Sequence, residues 1–191
     1  MASTLEKKAL FYEYLTIAWN IFEGISCVII GTITGSVSLF AYGLESSVEV
    51  FASSVVVWEL KGSGTKKREA IALKMIGSAY LVVSAYVFFD AAKSLIERHH
   101  ADQSFLGVIF LAVTAVVMLF LGLKKKSIGI EMKSETVLAD SKFTLIDAAL
   151  SVAVLLGLLF NALFGLWWTD PAMALFLSGV AFREGIREVL Q

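Results

Sequence analysis

The 191-residue sequence is short of most features of a soluble domain. Charged residues make up 17% of it, and it has one proline and one cysteine, whereas hydrophobic residues reach 58%. Soluble domains average about 45–50% apolar and about 25% charged residues. A lone cysteine, Cys27, excludes an internal disulfide and a cysteine-based zinc finger. The formal net charge of −1 provides no basic field for nucleic acid. A soluble fold, a disordered chain and a nucleic-acid partner are therefore excluded.

Long apolar runs are what the chain has in abundance. Lys7 and Lys8 precede the first run as in a signal peptide, but Asn20 and Glu23 interrupt it and no small-residue cleavage site follows, so we interpret it as a retained helix. Each run can cross a hydrocarbon core of about 30 Å. The sequence thus predicts an all-α integral membrane protein in which residues 1–191 form one domain of six transmembrane helices. The six runs cover residues 10–32, 36–60, 70–96, 104–123, 135–161 and 170–190.

Positive charge is concentrated at alternate ends of the runs. By the positive-inside rule this places both termini in the cytoplasm, in agreement with an even number of spans. We therefore expect a multi-pass protein of the cell (inner) membrane, and interpret the basic residues as topology determinants. They precede the first run, follow the second and fourth, and close the sixth: Lys7, Lys8, Lys61, Lys66, Lys67, Arg68, Lys124, Lys125, Lys126, Lys133, Arg183 and Arg187.

Polar residues recur inside three of the runs in steps of three or four, so each series forms one stripe along its helix. An acid at the centre of a bilayer costs roughly 2.5–3.5 kcal/mol when it faces lipid. We therefore expect the stripes to face the interior of the bundle. The stripes are Thr16, Asn20, Glu23 and Cys27 in the first run; Ser38, Tyr42, Glu45, Glu49 and Ser53 in the second; and Asp140, Thr144, Asp147 and Ser151 in the fifth.

The acidic residues near the middle of the apolar runs have no lysine or arginine at a similar depth. No lysine or arginine falls at mid-depth in any run, so we do not expect ion pairing to neutralise Glu23, Glu45, Glu49 and Asp147. Their carboxyls must then be protonated or bind a cation. Because metal binding displaces protons from such ligands, a site that alternates between these states indicates a proton-coupled cation transporter.

Two of the striped runs carry a family resemblance. Residues 38–53 read SLFAYGLESSVEVFAS and residues 138–158 read LADSKFTLIDAALSVAVLLGL. They resemble the second and fifth transmembrane helices of the cation diffusion facilitator family, and WWTDPAMAL before the sixth run is similar to that family as well. The resemblance implies a cation-efflux-type bundle in which the third and sixth helices form a separate pair. It also implies that Glu45 and Glu49 occupy the two acidic ligand positions of the second helix, and Asp147 that of the fifth.

The sequence departs from the family pattern in three places. Phe143 stands at the family's histidine position, and Glu45 and Glu49 replace the usual aspartates. The chain ends at Gln191 directly after the sixth run, so we expect the family's cytoplasmic C-terminal domain to be absent. Because that domain helps family members to dimerise, the sequence does not decide whether the protein forms a homodimer.

The missing histidine changes the expected metal. Oxygen ligands alone suit manganese or ferrous iron. Zinc also accepts carboxylates and is the metal that the resemblance implies.

Together, the residues and the resemblance predict a protein of the lipid bilayer that exports a divalent metal ion by proton antiport. The metal (zinc, manganese or iron) is its substrate; no cofactor and no enzymatic activity are expected. The fourth helix, with little polar content beyond Thr114, is expected only to pack. The alternatives are a non-transporting subunit or metal sensor with the same fold, and an organic-cation exporter. The predicted metal ligands are Glu45, Glu49 and Asp147, and the second-tier candidates for the metal or proton path are Asp140, Glu23 and Asn20.

The second-tier residues have simpler interpretations that stay open. Glu23 can be a protonated carboxyl that bonds a neighbouring helix. Asp140 can be solvated at the cytoplasmic interface, and Asn20 can be an interhelical hydrogen bonder. These interpretations require no bound ion.

Overall fold

The computed structural model describes residues 4–62, 66–102 and 104–190. The side chains of Lys66 and Arg68, counted above among the basic residues, lie outside the described part, as does Gln191. The predicted all-α class with six helices is confirmed, and the described residues include no strand. The helices are α1 (Thr4–Thr34), α2 (Val37–Leu60), α3 (Lys66–Glu97), α4 (Phe105–Met132), α5 (Glu135–Phe164) and α6 (Thr169–Val189).

Several helices begin after a serine and end at a residue in the left-handed conformation. The hydroxyls of Ser36, Ser104 and Ser134 accept hydrogen bonds from backbone N–H groups in the first turns of α2, α4 and α5. Serine is favoured at this position because its side chain satisfies an N–H that has no partner within the helix. Lys133 and Gly165 end α4 and α5 in the left-handed conformation, with φ of 54° and 65°.

Helix α4 is longer than the fourth apolar run. The run ends at residue 123, but the helix continues to Met132 and therefore includes Lys124, Lys125 and Lys126. Lysine is a good helix former, so the charged triplet does not end the helix. Lys124 and Lys126 are exposed, whereas Lys125 is buried. The prediction that all three belong to a connection between helices is wrong.

The helices pack mainly as three pairs: α1 with α2, α4 with α5, and α3 with α6. The α3–α6 pair is the one that the family resemblance implies. Its helices approach closely, because a Cβ added to Gly77 would lie 2.7 Å from the carbonyl oxygen of Gly185. Helix α2 also contacts α3, α5 and α6, so it lies at the centre of the bundle.

Among the described residues, five helices are long and apolar enough to cross a membrane: α1, α2, α3 from Ala70 onward, α4 and α5. Helix α6 is shorter and carries four charged residues, Arg183, Glu184, Arg187 and Glu188, in its last turns. The outer surface carries many large apolar side chains, for example Ile33, Phe89 and Val116. The chain is an integral, multi-pass membrane protein, and the sixth span stays a prediction.

Candidate metal centre

The polar stripes of α1, α2 and α5 lie inside the bundle and not on its outer surface. No candidate residue is more than 4% exposed, and most are fully buried. The helices that carry them are neighbours, since α2 contacts both α1 and α5. The buried candidates are Asn20, Glu23, Glu45, Glu49, Asp140 and Asp147.

Glu49 is held by neutral hydrogen-bond donors from three helices. Asn20 Nδ2 of α1 and Thr144 Oγ1 of α5 donate to Glu49 Oε2 over 3.3 and 3.4 Å. Tyr80 of α3 donates its hydroxyl hydrogen to Glu49 Oε1 over 3.4 Å. We call these four residues the Glu49 layer. It involves four helices, so α3 is part of the site and is not only the partner of α6.

A second group, which we call the Asp147 layer, contains Glu23, Tyr42, Glu45, Ser46 and Asp147. Ser46 donates to Glu23 Oε1 over 3.2 Å. Among the described residues, neither carboxylate oxygen of Asp147 makes a hydrogen bond of standard geometry, and the same holds for one oxygen of Glu23, one of Glu45 and the Tyr42 hydroxyl. The Tyr42 hydroxyl nevertheless lies near both Glu23 and Asp147. Glu45 and Asp147 are near enough to interact electrostatically. Buried polar atoms without partners are rare, so this layer is suited to a proton, a water molecule or an ion.

A lysine lies in the bundle interior, at the end where α4 joins α5. Lys125 Nζ of α4 contacts Asp140 Oδ2 of α5 and lies 3.4 Å from Glu13 Oε2 of α1, with all three side chains fully buried. We call Glu13, Lys125 and Asp140 the lysine cluster. The prediction that the fourth helix only packs is therefore wrong. Lys125 pairs with Glu13 and Asp140 and with none of Glu23, Glu45, Glu49 and Asp147, the acids for which no ion pairing was predicted. Asp140 is ion-paired and not solvated at an interface.

The sequence contains a signal for two residues of the site that were not among the predicted ones. Glu13 precedes Thr16 by three residues, so it extends the first polar stripe by one turn. Lys125 follows Thr114 by eleven residues, about three helical turns, which places both on one face of α4. Tyr80 had no such signal, because an isolated tyrosine in an apolar helix is an ordinary core residue.

Asp170, at the start of α6, was also missed. Its carboxylate accepts hydrogen bonds from the hydroxyls of Ser36 (2.6 Å) and Ser38 and from the backbone N–H groups of Val37 (2.8 Å) and Ser38 (3.3 Å). The acid therefore caps the first turn of α2 from another helix. It connects the α3–α6 pair to the helix that carries Glu45 and Glu49.

Phe143 occupies the position where the family resemblance expects a histidine. Its side chain is 1% exposed and stacks on Tyr80, with ring centroids 4.6 Å apart and planes 18° apart. Because the Tyr80 hydroxyl bonds Glu49, the phenylalanine supports the Glu49 layer by packing. The atoms of the two layers that can bind a metal are all oxygens, because the amide nitrogen of Asn20 is a hydrogen-bond donor and not a ligand.

The three predicted ligands share one buried region without surrounding a single point. Among the described residues, no group of three or more His, Cys, Asp or Glu side chains is arranged to hold a metal ion together. Binding of one ion by Glu45, Glu49 and Asp147 therefore requires side-chain or helix movement. Of the described lysines and arginines, none lies within ion-pair distance of these acids or of Glu23.

Comparison with known proteins identifies the domain. Residues 14–190 match the model of the cation efflux transmembrane domain. The chain is 25% identical over 180 residues to magnetosome protein MamB of Paramagnetospirillum magneticum, covering 89% of this chain and 59% of MamB. It is 27% identical over 161 residues to manganese efflux system protein MneS of Bacillus subtilis, covering 79% of this chain and 55% of MneS. Transmembrane protein 163 of Xenopus laevis is 21% identical over 192 aligned residues, covering 97% of this chain and 68% of that protein. The chain thus spans little more than half to two thirds of these relatives.

Proposed function

The chain belongs to the cation efflux family, and from this premise we propose that it exports a divalent metal ion across a membrane in exchange for protons. The observation that carries the proposal is the Asp147 layer. Glu23, Glu45 and Asp147 are buried together, and no described basic residue lies within ion-pair distance of them. An ionised carboxylate buried without a partner is very unfavourable. Protons or a metal ion must therefore balance these charges.

Exchange of metal for protons follows from this charge balance. When the acids are protonated, the layer is nearly neutral. When they bind a divalent ion, they release protons, and the charge of the ion offsets that of the carboxylates. In neither state does a large net charge lie at the centre of the membrane. We propose Glu45, Glu49 and Asp147 as the metal ligands, with Asn20 and Glu23 on the path of the metal or the protons.

We propose manganese as the preferred substrate, with ferrous iron next and zinc, the metal implied by the resemblance, after them. The apolar ring of Phe143 stands where a nitrogen ligand is expected, and carboxylate oxygens suit manganese, whereas imidazole suits zinc. One relative, MneS, is a manganese efflux protein by name. The proposal therefore rests on the donor atoms and on that relative.

We propose that both termini lie in the cytoplasm and that the protein is located in the cell membrane. Exposed lysines lie where α1 begins and where α4 joins α5, at one end of the bundle: Lys7, Lys8, Lys124, Lys126 and Lys133. Positive charge of this kind is retained on the cytoplasmic side. Export would then move the metal away from the lysine-rich end.

The test is metal flux into proteoliposomes that contain the purified chain, with an imposed pH gradient. We expect manganese uptake to depend on the gradient and to be lost in Glu49→Gln and in Asp147→Asn. Both variants should stay folded, because each keeps the shape of the side chain and removes a buried charge. Glu131→Gln, at an exposed position of α4, is the matched control and should transport normally. Transport that survives both site substitutions would eliminate the proposed site.

A non-transporting subunit or metal sensor is the second candidate. It is favoured by the absence, among the described residues, of three acids arranged to hold one ion. Such a protein would be stabilised by metal against unfolding but would show no flux in the same vesicles. The flux measurement therefore separates the two candidates.

A further inference from the structure

The lysine cluster lies outside the proposed set of metal ligands, yet it has the composition of a cation site. Glu13 and Asp140 come from α1 and α5, and their carboxylates lie on the same ammonium group. The two carboxylates are also near enough to interact with each other. Two acids from different helices thus hold one positive charge between them.

The cluster is incompletely satisfied. Glu13 Oε1 and Asp140 Oδ1 are buried and accept no hydrogen bond of standard geometry from any described residue. With both acids ionised, two negative charges face the single positive charge of Lys125. A divalent cation balances both acids at once, whereas the ammonium balances one acid and leaves the other to a proton. Since a lysine ammonium is a compact charge on a flexible stem, it can leave the pair more readily than a fixed group can.

The cluster is also continuous with the Glu49 layer. The Thr144 hydroxyl lies 3.1 Å from the backbone carbonyl oxygen of Asp140 and 3.4 Å from Glu49 Oε2, so its one hydrogen can be donated to either group. Lys125 interacts electrostatically with Glu49 as well. A cation that moves between the Glu49 layer and the end where α4 joins α5 therefore meets this pair of acids.

We propose that Glu13 and Asp140 form a second cation-binding position, occupied in this structure by the ammonium of Lys125. A divalent metal ion enters the position by displacing that ammonium. Lys125 therefore acts as a tethered competitor, which keeps the position closed until metal arrives. The role of the position in transport rests on the proposed function, but its ability to bind metal does not.

The test counts Mn²⁺ ions bound to the purified full chain in detergent, by electron paramagnetic resonance of the free ion. Lys125→Met removes the competing charge and keeps an unbranched stem of similar length. At free Mn²⁺ concentrations too low to displace the ammonium in the wild type, we expect Lys125→Met to bind about one Mn²⁺ per chain more than the wild type, because metal binds where carboxylates are ionised and free. Lys125→Arg keeps the charge and should bind the same number as the wild type.

Two double variants assign the additional ion. Combining Lys125→Met with Asp140→Asn should remove it, whereas combining Lys125→Met with Glu49→Gln should retain it. If the wild type binds no Mn²⁺, the proposed metal site fails, while the comparison of Lys125→Met with the wild type still tests the second position. An ion count in folded Lys125→Met that equals the wild-type count across the whole Mn²⁺ titration would overturn the inference.

Lys125→Met leaves two buried acids unpaired, so the variant can be too unstable to purify without metal. In that case we expect Mn²⁺ in the purification buffers to restore a folded protein, with a melting temperature that rises with Mn²⁺ concentration. The same addition should have a smaller effect on the Lys125→Met/Asp140→Asn variant. Failure to recover folded Lys125→Met at any Mn²⁺ concentration would also count against the second position.

Discussion

Replacing Phe143 by histidine should shift the metal preference toward zinc. Phe143 is buried and stacks on Tyr80, which in turn bonds Glu49. An imidazole at this position would bring a nitrogen ligand next to the Glu49 layer. Imidazole suits zinc better than manganese. The substitution therefore tests whether the aromatic ring, and not the acids alone, determines which metal is bound.

The size of the effect can be worked out from the structure. Without metal, the variant loses part of an aromatic contact, worth about 0.5–1.5 kcal/mol, and buries an unpaired ring nitrogen, which costs about 1–3 kcal/mol. We expect destabilisation of about 2–4 kcal/mol in total. Zinc at about a hundred times its dissociation constant would return about 2.7 kcal/mol. Zinc should therefore restore most of the lost stability, and manganese should restore less.

Two measurements check this prediction: unfolding in detergent with and without each metal, and zinc and manganese flux in the same vesicles. We expect the zinc-to-manganese ratio to rise on the order of tenfold or more, since even an outer-shell partner is worth about 10–100-fold in affinity. Phe143→Leu, which removes the ring without adding a ligand, is the control and should leave the ratio unchanged. A folded Phe143→His variant with the wild-type ratio would refute the reasoning.

Three further predictions concern the scaffold and its orientation. Asp170→Asn should lower the free energy of unfolding by about 2–4 kcal/mol, because an amide nitrogen replaces an acceptor of charge-assisted hydrogen bonds; denaturant titration in detergent measures this. Gly43→Ala should lower the free energy of unfolding by about 1–3 kcal/mol, because its Cβ would lie 2.8 Å from a backbone nitrogen of α1. Gly179→Ala is the control: its Cβ would meet nothing within 4 Å, so it should be neutral or stabilising in the same assay. With the lone native cysteine buried, an impermeant maleimide should label Lys133→Cys only in inverted vesicles and Asp102→Cys only in intact cells; the reverse pattern would contradict the proposed orientation.

The helices could be predicted from the sequence because their signals are local. Long apolar runs and serine N-caps depend on a few neighbouring residues, and the six predicted helices are present among the described residues. The inward position of the acids also followed from one physical fact, the cost of placing a carboxylate in lipid. Glu45, Glu49 and Asp147 lie inside the bundle for this reason.

The error over Lys125 arose because hydropathy alone was used to end the fourth helix. A run of three lysines ends an apolar segment, but it does not end an α-helix. Once the helix continues, one of three consecutive residues must face the neighbouring helices, since each residue turns by about 100°. Lys125 is that residue, and the buried acids Glu13 and Asp140 make its burial tolerable.

The sequence by itself determined that six apolar segments form helices and which faces of α1, α2 and α5 are polar, because both depend on spacing along one chain. Only the tertiary structure decided which polar faces meet. The stacking of Phe143 on Tyr80, the capping of α2 by Asp170 and the pairing of Lys125 with acids of two other helices all join residues far apart in sequence. Such contacts depend on how the helices are placed against one another, and no periodicity within a single helix specifies that placement.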